Sequence, residues 1–242
     1  MYPGAHAAAR PDHPAIVMAE TGETLTYAQL DEHANRASNV FRDIGLQPGD
    51  HIAFCLENNV NFLALCWGAI YAGVIYTAMS SRLTTEEMAY IIDNCGAKVF
   101  ITSPHKAAQA AELLEQMPNV ELRLSMGGPL EGYDSYEEAI ANASPEPLKN
   151  RVAGRDMLYS SGTTGRPKGV LPSTEPAPLE QGDSSVATLG ALLFGFSEDS
   201  RYLSPAPLYH AAPLRFNLGI QTTGGTSYVM EKFDPEAYLR FL

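Results

Sequence analysis

Between Tyr159 and Val170 the chain reads Tyr-Ser-Ser-Gly-Thr-Thr-Gly-Arg-Pro-Lys-Gly-Val. Ser160, Ser161, Thr163 and Thr164 bring hydroxyls, Gly162, Gly165 and Gly169 bring backbone freedom, and Lys168 brings one mobile positive charge. Glycine lets the backbone take positive φ and approach a ligand closely. Successive N–H groups in such a loop form a concavity that receives anions. Amides, hydroxyls and an ammonium group in one short stretch are the parts needed to hold a polyphosphate. The spacing differs from the Walker nucleotide loop, which needs a glycine, four residues, then Gly-Lys-Ser/Thr. Four residues beyond Gly162 the chain reaches Pro167, and Lys168 is followed by Gly169. A kinase or GTPase of that type is therefore disfavoured. The apolar lead-in Met157-Leu158-Tyr159 reads as a short strand feeding the loop, which a mobile polar linker would lack.

A loop like this must be positioned by regular elements, and the chain supplies them in alternation. Ala15 to Ala19 is strand-like. Thr26 and Gln29 form a capping box, and apolar or aromatic residues at 27, 30, 34, 37, 41 and 44 fall on one face of the helix it opens, which ends at Gly45. Ile52 to Leu56 reads as a strand. From Asn58 to Ser81 there is no charged residue, and 62–79 is largely apolar. By length alone that is a membrane-span candidate. Gly73 and the β-branched Val74-Ile75 favour a buried helix that stops at the glycine and a buried strand after it. Thr84 and Glu87 open a further capped helix that runs to Gly96. Lys98 to Thr102 is a strand, Ala107 to Met117 a helix, and Val120 to Leu124 a strand.

A Gly/Pro-rich passage, 127–150, contains one short helix, Tyr133 to Asn142. A second soft passage covers Pro172 to Ser185. After it come a helix (Val186 to Phe196), a strand (Arg201 to Ser204), a helix (Leu214 to Thr222) and a strand (Thr226 to Val229). Strands alternating with helices of this length predict an α/β fold of βαβ units with mainly parallel sheets. Ligands on such sheets bind beyond the carboxyl ends of strands, and the loop after Tyr159 has that kind of position.

Composition narrows the function classes. The 242 residues carry 16 basic and 28 acidic side chains, a net charge of −12, and 45% are hydrophobic. That is ample for a packed core. The acidity disfavours nucleic acid and anionic lipid as partners, because both need basic patches. A local ATP site remains compatible with it. Cys55, Cys66 and Cys95 are odd in number and lack Cys-x-x-Cys spacing, so neither a disulfide framework nor a zinc site is expected. The six histidines show no metal-ligand spacing. The N-terminus lacks the order of a secretory signal, and a reducing, cytoplasmic location is expected.

The Tyr159–Val170 string closely resembles the phosphate-binding signature of the adenylate-forming (AMP-binding) superfamily, which includes acyl-CoA synthetases, aryl-CoA ligases, peptide-synthetase adenylation domains and firefly luciferase. Leu25-Thr26-Tyr27-Ala28-Gln29-Leu30, Gly45 to Asp50, Trp67 to Gly73, Ser81-Arg82-Leu83 and Pro207-Leu208-Tyr209-His210 look like collinear parts of an acyl-CoA synthetase. The resemblance covers nearly the whole chain. It implies the N-terminal portion of the family's large domain, with a first α/β lobe over 1–170 ending in the phosphate loop and an incomplete second lobe over 171–242.

It also implies ATP-dependent conversion of a fatty or other hydrophobic acid to an acyl-adenylate and then an acyl-CoA, with ATP, Mg2+ and coenzyme A as cofactors. Carried over by position, Ser160, Ser161, Gly162, Thr163, Thr164 and Lys168 contact nucleotide phosphates, and Gly165 and Gly169 shape the turn. Lys168 and His210 are the catalytic candidates. His210, Ala212 and Phe216 line the acyl end, and Arg166 is a surface charge.

The sequence departs from the family in places. Pro213 stands near His210 where a glycine is usual, Ala78-Met79-Ser80-Ser81 replaces Pro-Leu-Asn-Pro, and Leu171-Pro172-Ser173-Thr174 follows the loop. The adenine, ribose, magnesium, hinge and C-terminal lysine motifs do not occur before Leu242. A fragment is therefore expected, catalytically silent alone, which self-associates or pairs with the missing part of the same enzyme. Two alternatives stay open: a non-catalytic nucleotide-binding or interaction module, and a piece of a peptide-synthetase-type adenylation domain.

Overall fold

The structure is a computed structural model that describes residues 2–160, 166–173, 177–181 and 185–242. In chain order its first elements are α1 (Pro3–Ala9), β1 (Pro14–Met18), β2 (Thr24–Thr26), α2 (Tyr27–Asp43), β3 (His51–Phe54), α3 (Phe62–Ala72) and β4 (Ile75–Ala78). Then come α4 (Thr85–Cys95), β5 (Ala97–Thr102), α5 (Ala107–Leu113), β6 (Leu122–Ser125), β7 (Asp134–Ser135), α6 (Tyr136–Asn142) and β8 (Arg155–Asp156). The last are β9 (Leu158–Ser160), β10 (Lys168–Val170), α7 (Ser185–Phe194), β11 (Arg201–Ser204), α8 (Ala211–Thr223), β12 (Thr226–Val229) and α9 (Pro235–Phe241).

The local signals act as expected. Thr26 and Gln29 exchange backbone-to-side-chain hydrogen bonds of 2.9 and 3.3 Å at the start of α2, and Tyr27, Leu30, Ala34, Ala37 and Phe41 are buried along its length. Thr84 and Glu87 form the reciprocal box at α4, and Gly96 ends that helix in the left-handed region at φ 67°. α3 and β4 account for the uncharged run. Gly73 turns between them at φ 76°, and a Cβ there would lie 2.9 Å from the carbonyl oxygen of Val152. No helix of the described residues is long and apolar enough to cross a membrane.

Some bounds differ from the sequence reading. α5 stops at Leu113, not Met117, because Pro118 cannot continue a helix and 114–116 turn ahead of it. α6 starts at Tyr136, after the N-cap Ser135, whose hydroxyl accepts from the Glu138 N–H. α8 starts three residues early, at Ala211, with Pro213 in its first turn, where a missing N–H costs nothing. α1, β2, β7, β8, β10 and α9 carried no signal that the sequence reading used.

The described residues form two compact units that interleave along the chain: Met1–Ala34, Asn58–Trp67 and Ala177–Leu242 in one, Asn35–Glu57 and Gly68–Pro176 in the other. Contacts thus divide the chain differently from a single cut at 170/171. The N-terminal residues group with the C-terminal ones because β1 pairs in parallel with β12, Ile16 opposite Ser227.

In that first unit a four-stranded sheet runs β11-β12-β1-β2, parallel except for β2. Trp67 donates to Gln221 Oε1 at 2.6 Å, and the Tyr27 hydroxyl lies 2.7 Å from the Gly225 carbonyl. Leu192 and Leu193 on α7 and Leu239 on α9 remain about 70% exposed or more (76%, 69% and 71%).

The second unit is built on a six-stranded sheet ordered β7-β6-β5-β3-β4-β8, with every pair parallel. Its core combines Ala53, Phe100, Ile91, Ile92, Leu113 and Val120, with Tyr90, Met157 and Tyr159 packed at the margin. Strands covered on both faces read as continuous apolar runs, as 52–56 and 99–101 do. All three cysteines are buried free thiols, and burial pushes Cys55 up to about 12 and Cys95 to about 11.

Candidate functional site

β9 and β10 pair antiparallel with Lys168 opposite Ser160, Gly169 opposite Tyr159 and Val170 opposite Leu158. The Ser/Thr/Gly segment is therefore closed at its base by a two-stranded hairpin. Residues directly opposite in such a pair project to the same face. The Ser160 hydroxyl and the Lys168 ammonium thus share one face, and both residues are exposed. Among the described residues, none forms an ion pair with Lys168. Ser161, Gly162, Thr163, Thr164 and Gly165 lie outside the described residues.

On the opposite face Tyr159 fixes the hairpin. Its hydroxyl donates to Asn94 Oδ1 at 2.6 Å. Burial, with Cys95 and Tyr90 nearby, pushes its phenol far above the usual range. Gly169 gives the ring its place: a Cβ there would stand 2.3 Å from Met157 Cε and 2.9 Å from Tyr159 Cζ. Gly169 sits in a strand without positive φ, so its use at this position is space. Arg166 is exposed, and its guanidinium carbon lies 5.0 Å from the centre of the Tyr90 ring.

His210, Ala212 and Phe216 belong to the other unit, on the segment that joins β11 to α8. Asn58 secures that segment. Its Nδ2 donates to the Met230 carbonyl at 2.8 Å and the Ala206 carbonyl at 3.2 Å, and its Oδ1 accepts from the Leu208 N–H at 2.8 Å. The His210 N–H donates to the Pro207 carbonyl at 3.2 Å, closing a turn. His210 is the N-cap of α8, yet its side chain makes no cap bond; the ring is exposed and lies 4.4 Å from the Tyr209 ring.

Ala212 is exposed in the first turn of α8, and Phe216 follows one turn later, half-buried. Four-residue spacing puts both on one helical face. Phe216 closes an aromatic cluster with Phe194 and Phe196, each at 5.8 Å, and Tyr202 at 6.1 Å. Asn217 beside it is buried, donating to Ser204 Oγ at 2.9 Å and to the Pro213 carbonyl at 2.7 Å. Among the described residues, no group of three or more His, Cys, Asp and Glu could hold a metal ion.

The sequence reading missed the supporting residues. Asn58, Asn94 and Tyr90 match no motif. Asn58 did carry one signal, as a polar side chain opening a long uncharged run. β10 was hidden because Lys168-Gly169-Val170 is too short and polar to read as a strand.

Comparison with known proteins covers nearly the whole chain. The family model described as AMP-binding enzyme matches residues 4–242. A long-chain-fatty-acid–CoA ligase, FadD13 of Mycobacterium tuberculosis, is 29% identical over 226 residues, covering 91% of this chain and 42% of its own length. The inhibitor-bound N-terminal domain of FACL13 from M. tuberculosis superposes with a TM-score of 0.82 at 26% identity, over 99% of this chain and 58% of that one. ATP-bound MatB from Rhodopseudomonas palustris superposes with a TM-score of 0.76 at 25% identity, over 99% and 47%. The chain spans less than half the length of the curated relative.

Proposed function

This chain belongs to the AMP-binding enzyme family, and on that premise we propose that it carries residues for the nucleotide phosphates and residues for the acyl end in an enzyme that activates a hydrophobic carboxylic acid. The reaction has two steps. A carboxylate oxygen attacks the α-phosphorus of ATP, the bond to pyrophosphate breaks, and an acyl-adenylate forms. The thiol sulfur of coenzyme A then attacks the acyl carbon, and AMP leaves. Positioning and charge neutralisation govern such transfers more than covalent help from the protein does.

Lys168 supplies the positive charge at the departing pyrophosphate, with the Ser160 hydroxyl beside it. Ser161, Gly162, Thr163 and Thr164 complete the phosphate contacts in this reading. His210 stands at the acyl carboxylate, its ring left open because it does not cap α8. Ala212 and Phe216 line the acyl end, supported by the aromatic side chains packed around Phe216. Mg2+ would be held mainly by phosphate oxygens and water and would neutralise charge on the departing pyrophosphate. We place the protein in the cytoplasm, on the strength of its three buried free thiols. Its exposed α7 and α9 leucines are where we place pairing with the rest of a longer ligase or with a second copy.

The observation that carries this reading is the register of the hairpin, which closes the Ser/Thr/Gly segment with Lys168 directly opposite Ser160. Calorimetric titration of Mg-ATP into this chain tests it. A hydrogen bond to a charged group is worth about 1.5–3 kcal/mol, so Lys168→Ala should weaken binding about ten- to hundredfold. Equal affinity of wild type and variant would remove Lys168 from the site.

A further inference from the structure

α4 presents Tyr90 and Asn94 four residues apart, which places them side by side on one helical face. Each holds one end of the hairpin. Asn94 Oδ1 accepts from the Tyr159 hydroxyl at 2.6 Å, before the Ser/Thr/Gly segment. The Tyr90 ring lies under the Arg166 guanidinium at 5.0 Å, after it. Gly169, opposite Tyr159, leaves the space that lets the ring stand against α4. α4 is itself fixed. Its capping box sets the start, Gly96 sets the end, and Met88, Ile91, Ile92 and Cys95 bury its other side.

We propose that Tyr90 and Asn94 are positioning residues for the phosphate-binding hairpin, clamping both of its ends to α4 so that Lys168 is presented in a fixed place. The clamp rests on the phosphate-binding reading given above. Neither residue contacts nucleotide; each acts through a neighbour, Asn94 through Tyr159 and Tyr90 through Arg166. The two contacts differ in chemistry. The Tyr159–Asn94 bond needs an acceptor at position 94, which Asp also provides. The Arg166–Tyr90 contact needs an aromatic face at position 90, which Phe also provides. Loss of the clamp therefore appears chiefly in phosphate affinity, because α4 is held from its other face; Tyr90 also packs at the margin of the core, so its replacement by leucine costs some stability as well.

The test uses two readouts on this chain. One is the rate of trypsin cleavage after Lys168; Arg166 is protected by the proline that follows it. The other is the affinity for inorganic tripolyphosphate with Mg2+. Asn94→Leu should speed cleavage after Lys168 and weaken tripolyphosphate binding about fivefold, the worth of one hydrogen bond. Asn94→Asp should restore both. Tyr90→Leu should weaken binding about threefold, with Tyr90→Phe at the wild-type value. Thermal unfolding of Asn94→Leu, Asn94→Asp and Tyr90→Phe should match the wild type, and Tyr90→Leu, which also leaves the core margin, is read by its tripolyphosphate affinity at a temperature where it is fully folded.

If wild type binds tripolyphosphate and Asn94→Leu binds it equally well, the clamp is wrong while the phosphate reading stands. If wild type shows no binding or protection at Lys168, the phosphate reading fails and the positioning role fails with it. If Asn94→Asp or Tyr90→Phe behaves like the leucine variant, the proposed chemistry of that contact is overturned.

Discussion

At the scale of single residues, Gly169 shows how a motif glycine can be read two ways. In a loop of three glycines it looks like a turn former. In the structure it occupies a strand, and the missing Cβ is the space that the Tyr159 ring and the Met157 methyl fill. The motif revealed the residue type; only the pairing register revealed its neighbour. Gly169→Ala forces the Met157 tip and the Tyr159 ring to move, and overpacking of this kind costs about 1–3 kcal/mol. A lowered urea midpoint with unchanged slope is expected. An unchanged midpoint would mean that both side chains relax freely and that the clamp on α4 does not depend on them. Lys168 is the opposite case. Its positive charge is legible from type alone, and the phosphate role proposed for it follows from that charge standing opposite the Ser160 hydroxyl.

At the scale of elements, capping boxes were the most legible signals. Thr84 and Glu87 satisfy each other's backbone N–H groups at the head of α4, with the Thr84 N–H donating to Glu87 Oε2 at 2.8 Å. Thr84→Ala should cost about 1 kcal/mol, visible in chemical unfolding. It should also loosen the hairpin, since α4 carries Tyr90 and Asn94. A loss of stability without faster trypsin cleavage after Lys168 would separate the cap from the clamp. The elements that escaped were short strands: β2, β7, β8 and β10 have two or three residues and no alternation long enough to read. Their existence depends on a neighbour to pair with, as Lys168–Val170 depends on Leu158–Ser160. Pairing of that kind is a long-range event, and local sequence does not encode it.

At the scale of the molecule, each of the two units holds a partly buried histidine whose pKa is lowered. In one, Arg10 donates to His13 Nδ1 at 3.1 Å, which makes that nitrogen an acceptor. His13 Nε2 lies 3.4 Å from Thr226 Oγ1, whose own proton goes to the Pro14 carbonyl at 2.7 Å. Protonation would set two donors against each other beside Arg10. Burial first and Arg10 second hold the His13 pKa below its ordinary value, against the pull of Asp199 and Glu198. In the other unit, burial lowers His51, against the pull of Asp50.

For a base with a depressed folded pKa, the unfolded chain binds the proton first. The stability involved is complete above the unfolded value, about 6.5, and is lost as pH falls through the lower folded values. Melting temperature should therefore fall as pH drops from about 6.5 toward 5, and His13→Gln should flatten part of that slope. A melting temperature that rises on acidification would refute this assignment.

What the sequence determined by itself was whatever rests on contacts between near neighbours. It set the capped helices at 27 and 85, the helix that stops at Gly73, and the alternation that makes an α/β fold. It also set the loop chemistry, and with it the family to which the chain belongs. Side-chain type and spacing of three or four residues carry that information directly. What only the tertiary structure decided was which distant residues meet. β1 joins β12 across more than two hundred residues, so the units interleave and do not follow one another. Asn58 secures the segment before His210, and Asn94 receives Tyr159. Such meetings depend on the packing of whole sheets and helices, which balances the entropy of closing long loops, and no short stretch of sequence records that balance.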